Sequence, residues 1–297
     1  LKIHNSQPGG KKQQGIALLI LIIVIVLTIS TLYFSSISIV DINTANVLKT
    51  RAALKTAKDA LISHATLRSD VMFPSDQPGR YGYLPCPANN NGEGNSADPC
   101  GGAKKNTIGW FPWRSLKMAP LKDSNGDCLL YAVSSTYKYT PDAGMLNADT
   151  NFGMFQIVDE NNNVLHGATA QDRVVAVVFS AGVALDGQAR VKDPFTECGD
   201  DANNFDAYLD AFEVAPGDIV NNASVDEVNL NRVDRFVSAA SVDNLGIIND
   251  QLIVITRDEI WPKAIAHREV AFDIADVSGQ SKVRRLTEAL ALCLASY

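Results

Sequence analysis

The sequence predicts an α+β chain in which a long N-terminal helix, one half membrane-spanning and the other amphipathic, packs on a mainly antiparallel β-sheet domain. Three observations predict it. Residues 16–34 form a 19-residue run without a charged side chain. Residues 35–65 follow with no proline or glycine and place apolar residues at Ile42, Ala45, Leu48, Ala52, Leu61 and Ala65, so the apolar helix continues as an amphipathic one. After residue 67 strand candidates outnumber helices, which fits a helix-plus-sheet layout better than alternating β-α units.

At about 1.5 Å per residue the uncharged run covers about 28 Å, close to the thickness of a bilayer core. It is longer than the apolar region of a cleaved secretory signal. Lys2, Lys11 and Lys12 precede it, and the first charge after it is Asp41, so the positive-inside bias places the N-terminus in the cytoplasm and exports the body. The chain's formal charge is −7, and −10 without residues 1–15. An acidic body argues against nucleic acid as a partner.

Along the body, Pro85 and Pro87 flank Cys86 in YLPCP and cannot donate ladder hydrogen bonds, which predicts an extended edge or a turn. Trp110, Phe111, Trp113 and Leu116 concentrate apolar area beside Arg114. They read either as a seal between sheet and helix or as a recognition patch of Trp110, Trp113 and Arg114. Strands are predicted over 128–135, 152–159, 173–182 and 250–258, rich in β-branched and aromatic residues and bounded by Gly, Asn, Asp and Pro. Within the third, AVVFSAG is nearly all apolar, as in a strand buried on both faces.

Five cysteines stand at 86, 100, 128, 198 and 293. In an exported body disulfides persist. Cys86 and Cys100 would close a loop rich in glycine and asparagine, a crosslink of about 3 kcal/mol in the chain-entropy model. Cys128 with Cys198 is the second expected pair, leaving Cys293 free. A four-cysteine metal site lacks any CxxC spacing.

KKQQG before a long apolar-then-amphipathic helix resembles the N-terminus of type IV pilin-like proteins, the class that includes minor pilins and the pseudopilins of type II secretion. The blocks LPCP at 84–87, GWFPWRSL at 109–116, LLYAVS at 129–134, RVVAVVFSAGVALDGQ at 173–188 and NDQLIVITRDEIWP at 249–262 resemble one group within it. The resemblance implies a leader of residues 1–15 cut by a prepilin peptidase after Gly15, with Ile16 methylated as the mature first residue. It implies partners among other pilin-like subunits through the N-terminal helix. The family usually carries glutamate at the fifth mature position, where this chain has Ile20, an absence that resembles tip and other minor subunits.

Enzyme signatures are missing: GxSxG, HExxH, GxxxxGK[ST] and GxGxxG do not occur. The reading is therefore not an enzyme. Asp200, Asp201, Asp206 and Asp210 read as solvated loop charge rather than as paired catalytic acids. Asp123, Asn125 and Asp127 in DSNGD are weak calcium candidates, since some pseudopilins hold calcium in such loops, but they lack the EF-hand pattern, and a plain turn explains them as well. No other cofactor is expected.

The expected organisation is a leader at 1–15, a helix at 16–66 with a transmembrane segment at 16–36, an exported domain at 67–277 and a C-terminal helix at 278–297. That last helix also reads as the truncated start of a further unit, and Leu1 in place of methionine suggests an incomplete reading frame. The expected function is a minor pilin-like subunit of a type IV pilus or type II pseudopilus, acting in filament initiation, assembly or surface presentation. Its expected location is the inner membrane, single pass, with the body periplasmic or in an extracellular filament. The alternative is a membrane-anchored periplasmic binding module outside any filament.

Overall fold

The computed structural model describes residues 13–72, 82–88, 93–97, 100, 105–139, 146–147, 149–190, 197–198, 204–225, 233–238 and 248–271, without the side chains of helical residues 13–16, 33–43, 68–72 and 265–271. The chain divides into two units, Leu1–Lys49 and Thr50–Tyr297. Helix α1 (Gln13–Met72) crosses that division, with its first part in one unit and its last part in the other.

In the larger unit the strands are β1 (Thr107–Trp110), β2 (Leu130–Val133), β3 (Phe155–Val158), β4 (Val164–His166) and β5 (Val174–Ser180). They continue with β6 (Ala211–Ala215), β7 (Asp218–Asn221), β8 (Asp234–Val237) and β9 (Gln251–Thr256), and α2 (Arg257–Ala271) follows. β5 is the axis of the sheet: all seven residues are buried, with β2 antiparallel along one stretch and β9 antiparallel from Val174 to Ser180. Every side chain of VVAVVFS is apolar except the terminal serine, which is what burial on both faces demands. β1 extends the sheet beyond β2, and β3 joins β5 at Phe155↔Val174. β3 then pairs antiparallel with β4 and parallel with β8, while β6 and β7 form a separate two-stranded ribbon.

Leu54, Ala57, Leu61, Ile62 and Ala65 of α1 belong to one buried cluster with β1, β2, β3, β5 and Phe236. Their spacing of three and four residues puts them on one helical face. Lys58 on the same stretch ion-pairs with Glu259 of α2 at 2.5 Å. Glu259 also accepts from the Thr256 backbone N–H (3.0 Å) and hydroxyl (3.3 Å), the return half of a capping box at the start of α2. Burial works to raise the Glu259 pKa, but Lys58 and the Thr256 donors outweigh it and hold the carboxyl below its ordinary range. That contribution to stability is present above neutral and weakly acidic pH alike, and is lost only as pH falls through the lowered value.

Three expectations need correction. Among the described residues no helix is long and apolar enough to cross a membrane. The transmembrane segment at 16–36 and the single-pass inner-membrane location are therefore unsupported. Nor does one long helix pack on the sheet: the buried helical face begins at Thr50, within the second unit, and Ala17–Leu32 falls in the first. Finally, the sheet is mixed, because β8 runs parallel to β3. The predicted strands at 128–135, 152–159, 173–182 and 250–258 correspond to β2, β3, β5 and β9; the helix at 278–297 and the ends of the leader and domain boundaries at 1–12 and 277 lie outside the described residues.

The joint between β3 and β5 has no room for a side chain on Gly153, where a Cβ would stand 2.2 Å from the Val174 carbonyl oxygen. Gly153→Ala is expected to destabilise the sheet-bearing unit by about 1–3 kcal/mol, through strain rather than lost contacts. A urea midpoint unchanged from wild type would contradict this close approach.

Candidate assembly surface and the buried polar hub

Between Leu18 and Leu32 lie twelve large aliphatic side chains, each 47–71% exposed. At about 100° per residue, Leu18, Ile22, Ile25 and Ile29 lie along one face, while Ile20, Val24 and Leu27 lie along another. The segment is therefore apolar all round. Its polar members do not change that, because each hydroxyl turns back on its own helix: Thr28 donates to the Ile25 carbonyl (2.9 Å), Ser30 to Val26 (2.7 Å) and Thr31 to Thr28 (2.9 Å). A stripe of apolar residues fits one neighbour; a helix apolar on every face is one that is normally enclosed. Ile20 is 54% exposed within this surface. Gly15 and Ile16 lie in the backbone of α1, their side chains outside those described.

The aromatic block is placed differently from a recognition patch. Trp110 is 2% and Trp113 8% exposed, both in the main core, and only Arg114 reaches solvent, stacked 5.0 Å above the Trp113 ring. Trp110 packs edge-on against Tyr208 and Phe205. Of the two readings of Trp110, Trp113 and Arg114, burial favours a core seal with one surface cation over a recognition patch. Gly94 lies against Trp113: at φ +72° it accepts from the Arg114 and Ser115 N–H groups, and a Cβ there would meet the indole at 2.2 Å.

Cys86 is bonded to Cys100 and Cys128 to Cys198, with S–S distances of 2.03 and 2.07 Å. Cys293 lies outside the described residues. Asp123, Asn125 and Asp127 do come together, as a turn. Asp123 Oδ1 accepts from the Asn125 (2.8 Å) and Asp127 (3.1 Å) N–H groups, and its Oδ2 accepts from the Ser180 hydroxyl at the end of β5 (3.0 Å). Ser124 N–H donates to Thr50 of α1 (3.1 Å). Burial nevertheless pushes the Asp123 pKa up, in spite of those donors. Its oxygens are committed to holding the turn on β5. Among the described residues no group of three or more His, Cys, Asp or Glu is placed to hold a metal ion.

Sequence reasoning missed the polar hub beneath the sheet's end. Arg190, its side chain 5% exposed, donates from Nη1 to Asp127 Oδ2 and the Gly182 carbonyl (both 2.7 Å). Its Nη2 reaches the Ala181 carbonyl (2.9 Å), Gln188 Oε1 (2.8 Å) and the Tyr208 carbonyl (3.2 Å), and its Nε the Ala207 carbonyl (3.1 Å). The five donors of one planar group thus tie three chain segments together. Asp210, read from sequence as solvated loop charge, is buried beside this hub and accepts from Gln188 Nε2 (2.8 Å) and the Asn249 N–H (2.7 Å). Asp206 is exposed and accepts from Asn221 (2.9 Å), while Asp200 and Asp201 lie outside the described residues. The available signal was the alternation of ALDGQAR with the acidic loop, but nothing in it says which aspartate is inside.

No family model matches this chain, and comparison with curated proteins and with solved structures returned no match.

Removing one member of a buried, hydrogen-bonded charge network typically costs about 3–5 kcal/mol, because the remaining partners are left without their counterpart. Arg190→Ala is expected to lose that much in chemical denaturation, and Arg190→Lys to recover under half of it, since an ammonium cannot reproduce the fork. Equal stability of the lysine variant and wild type would contradict the hub.

Proposed function

We propose that this chain is a low-copy, pilin-like subunit that joins an assembly of helical subunits through residues 17–32 of α1. The observation that carries the reading is that segment's exposure of aliphatic side chains on every face. One partner helix covers one face; covering all of them requires several neighbours, the environment a helix has in the core of a filament. Completing the burial of twelve half-exposed side chains is worth about 1 kcal/mol apiece, on the order of 10 kcal/mol together, before the costs of association. The two disulfides suit an oxidising compartment. The resemblance of KKQQG and the LPCP and GWFPWRSL blocks to pilin-like proteins supplies the type of assembly.

Ile20 supports a minor role. Where repeating subunits of the family carry glutamate at this position, this chain presents a half-exposed isoleucine and no charge to offer a neighbour's first residue. The action is polymerisation and presentation rather than catalysis.

Ile23→Asp places a carboxylate in the surface to be covered, where an unpaired charge is costly. Incorporation into filaments, measured by quantifying this chain against the major subunit in sheared material, is expected to fall at least tenfold, while the urea midpoint of the sheet-bearing unit stays at the wild-type value. The wild-type chain is expected well below the major subunit in copy number. Near-equal abundance, or undiminished incorporation of Ile23→Asp, would overturn the proposal.

A further inference from the structure

The hub contains a second carboxyl that its donors do not account for. Asp250, 4% exposed at the start of β9, directs Oδ2 at the Asp210 backbone N–H (2.8 Å) and at Asn222 Nδ2 (3.0 Å). Its Oδ1 is equally enclosed and receives no hydrogen bond. Asp210 stands next to it with both oxygens supplied by donors, Gln188 Nε2 on one and the Asn249 and Asp250 N–H groups on the other. An ionised Asp250 would leave half a charge on an oxygen without a donor, away from water and beside another carboxylate, an arrangement of the costliest kind.

We infer that the Asp210–Asp250 pair holds one proton at neutral pH, carried on Asp250 Oδ1, and that this proton keeps the β6–β7 ribbon latched to the main sheet. The location follows from the donors: two point at Oδ2 and none at Oδ1, so the O–H belongs on Oδ1. Burial first, and then the charge of Asp210, push Asp250 well above the carboxylate range, against the donors and Arg190. The charged groups facing it are Asp210, following the 3-10 turn Phe205–Ala207, and Arg190, from the loop after β5; Arg190 is itself engaged by Asp127. Asn222, at the end of β7, is neutral.

The latch has a mechanical meaning because each partner sits on a different element. Asn222 donates to Asp250 and to the Val237 carbonyl of β8 (2.9 Å) and accepts from the Val237 N–H (2.8 Å). Its own N–H donates to the Asp210 carbonyl (2.9 Å). Ionising Asp250 therefore repels Asp210 at the point where the ribbon, β8 and β9 meet. A carboxyl raised in the folded state binds its proton more tightly there than in the unfolded chain. Its stabilising share is complete below the ordinary carboxylate pKa and is lost as pH rises through the folded value.

Carboxyl-carbon NMR of the full chain, with Asp250 assigned through its backbone, reads the proton directly. The Asp250 signal is expected at the protonated position at pH 7. Over the interval between the unfolded and folded pKa values this one proton changes the wild-type folding equilibrium by up to tenfold per pH unit. Asp250→Asn, which fixes the neutral form, is expected to lack that dependence and to gain relative to wild type at pH 8 over pH 5, with hydrogen exchange in 211–221 no longer accelerating beyond its intrinsic pH dependence. A carboxylate signal for Asp250 at pH 7 would overturn the inference even if the variant fails to fold, and so would parallel pH profiles for variant and wild type.

Discussion

The complete burial of β5 is the constraint from which the sheet-bearing unit follows. Seven consecutive residues away from water need partners for their backbone groups, and β9 along one edge with β2 and β3 along the other supply them. Both faces must also be covered by apolar groups, which Leu54, Leu61 and Ala65 of α1 help to provide. The price appears where the strand ends. Ser180 hands its hydroxyl to Asp123, and the carbonyls of Ala181 and Gly182 go to Arg190. The DSNGD turn and the Arg190 fork thus both answer one problem, terminating a buried strand without leaving its polar groups dry.

Much of this was legible in sequence wherever a pattern is local. β2, β3, β5 and β9 were visible as β-branched runs between turn residues, and AVVFSAG read correctly as buried on both faces. β1, β4, β6, β7 and β8 were not, because TIGW, VLH, AFEVA, DIVN and DRFV each mix polar, charged or small residues into a run of only three to five. β8 pairs with a strand about eighty residues earlier, and in parallel, which no local signal announces.

The misreadings share a cause. Asp210 looked like the exposed Asp206 because its burial is decided by Asn249 and Gln188, far away in the chain. Trp110, Trp113 and Arg114 left two readings open, because aromatics beside an arginine suit an interface as well as a core; the contacts of Trp110 with Phe205 and Tyr208 decide for the core. The membrane-spanning reading rested on the length and lack of charge of one run, whereas among the described residues no helix is long and apolar enough to cross a membrane. What survives is the character of that surface: aliphatic, exposed and continuous around the helix.

That continuity is the centre of the functional account, and it can be measured face by face. Ile22 and Val24 lie two residues apart, about 200° around the helix. In assembled material, Ile22→Cys and Val24→Cys are each expected to form crosslinks to helices of neighbouring subunits. Crosslinks from one of the two positions alone, or from neither, would contradict enclosure of residues 17–32 by several subunits.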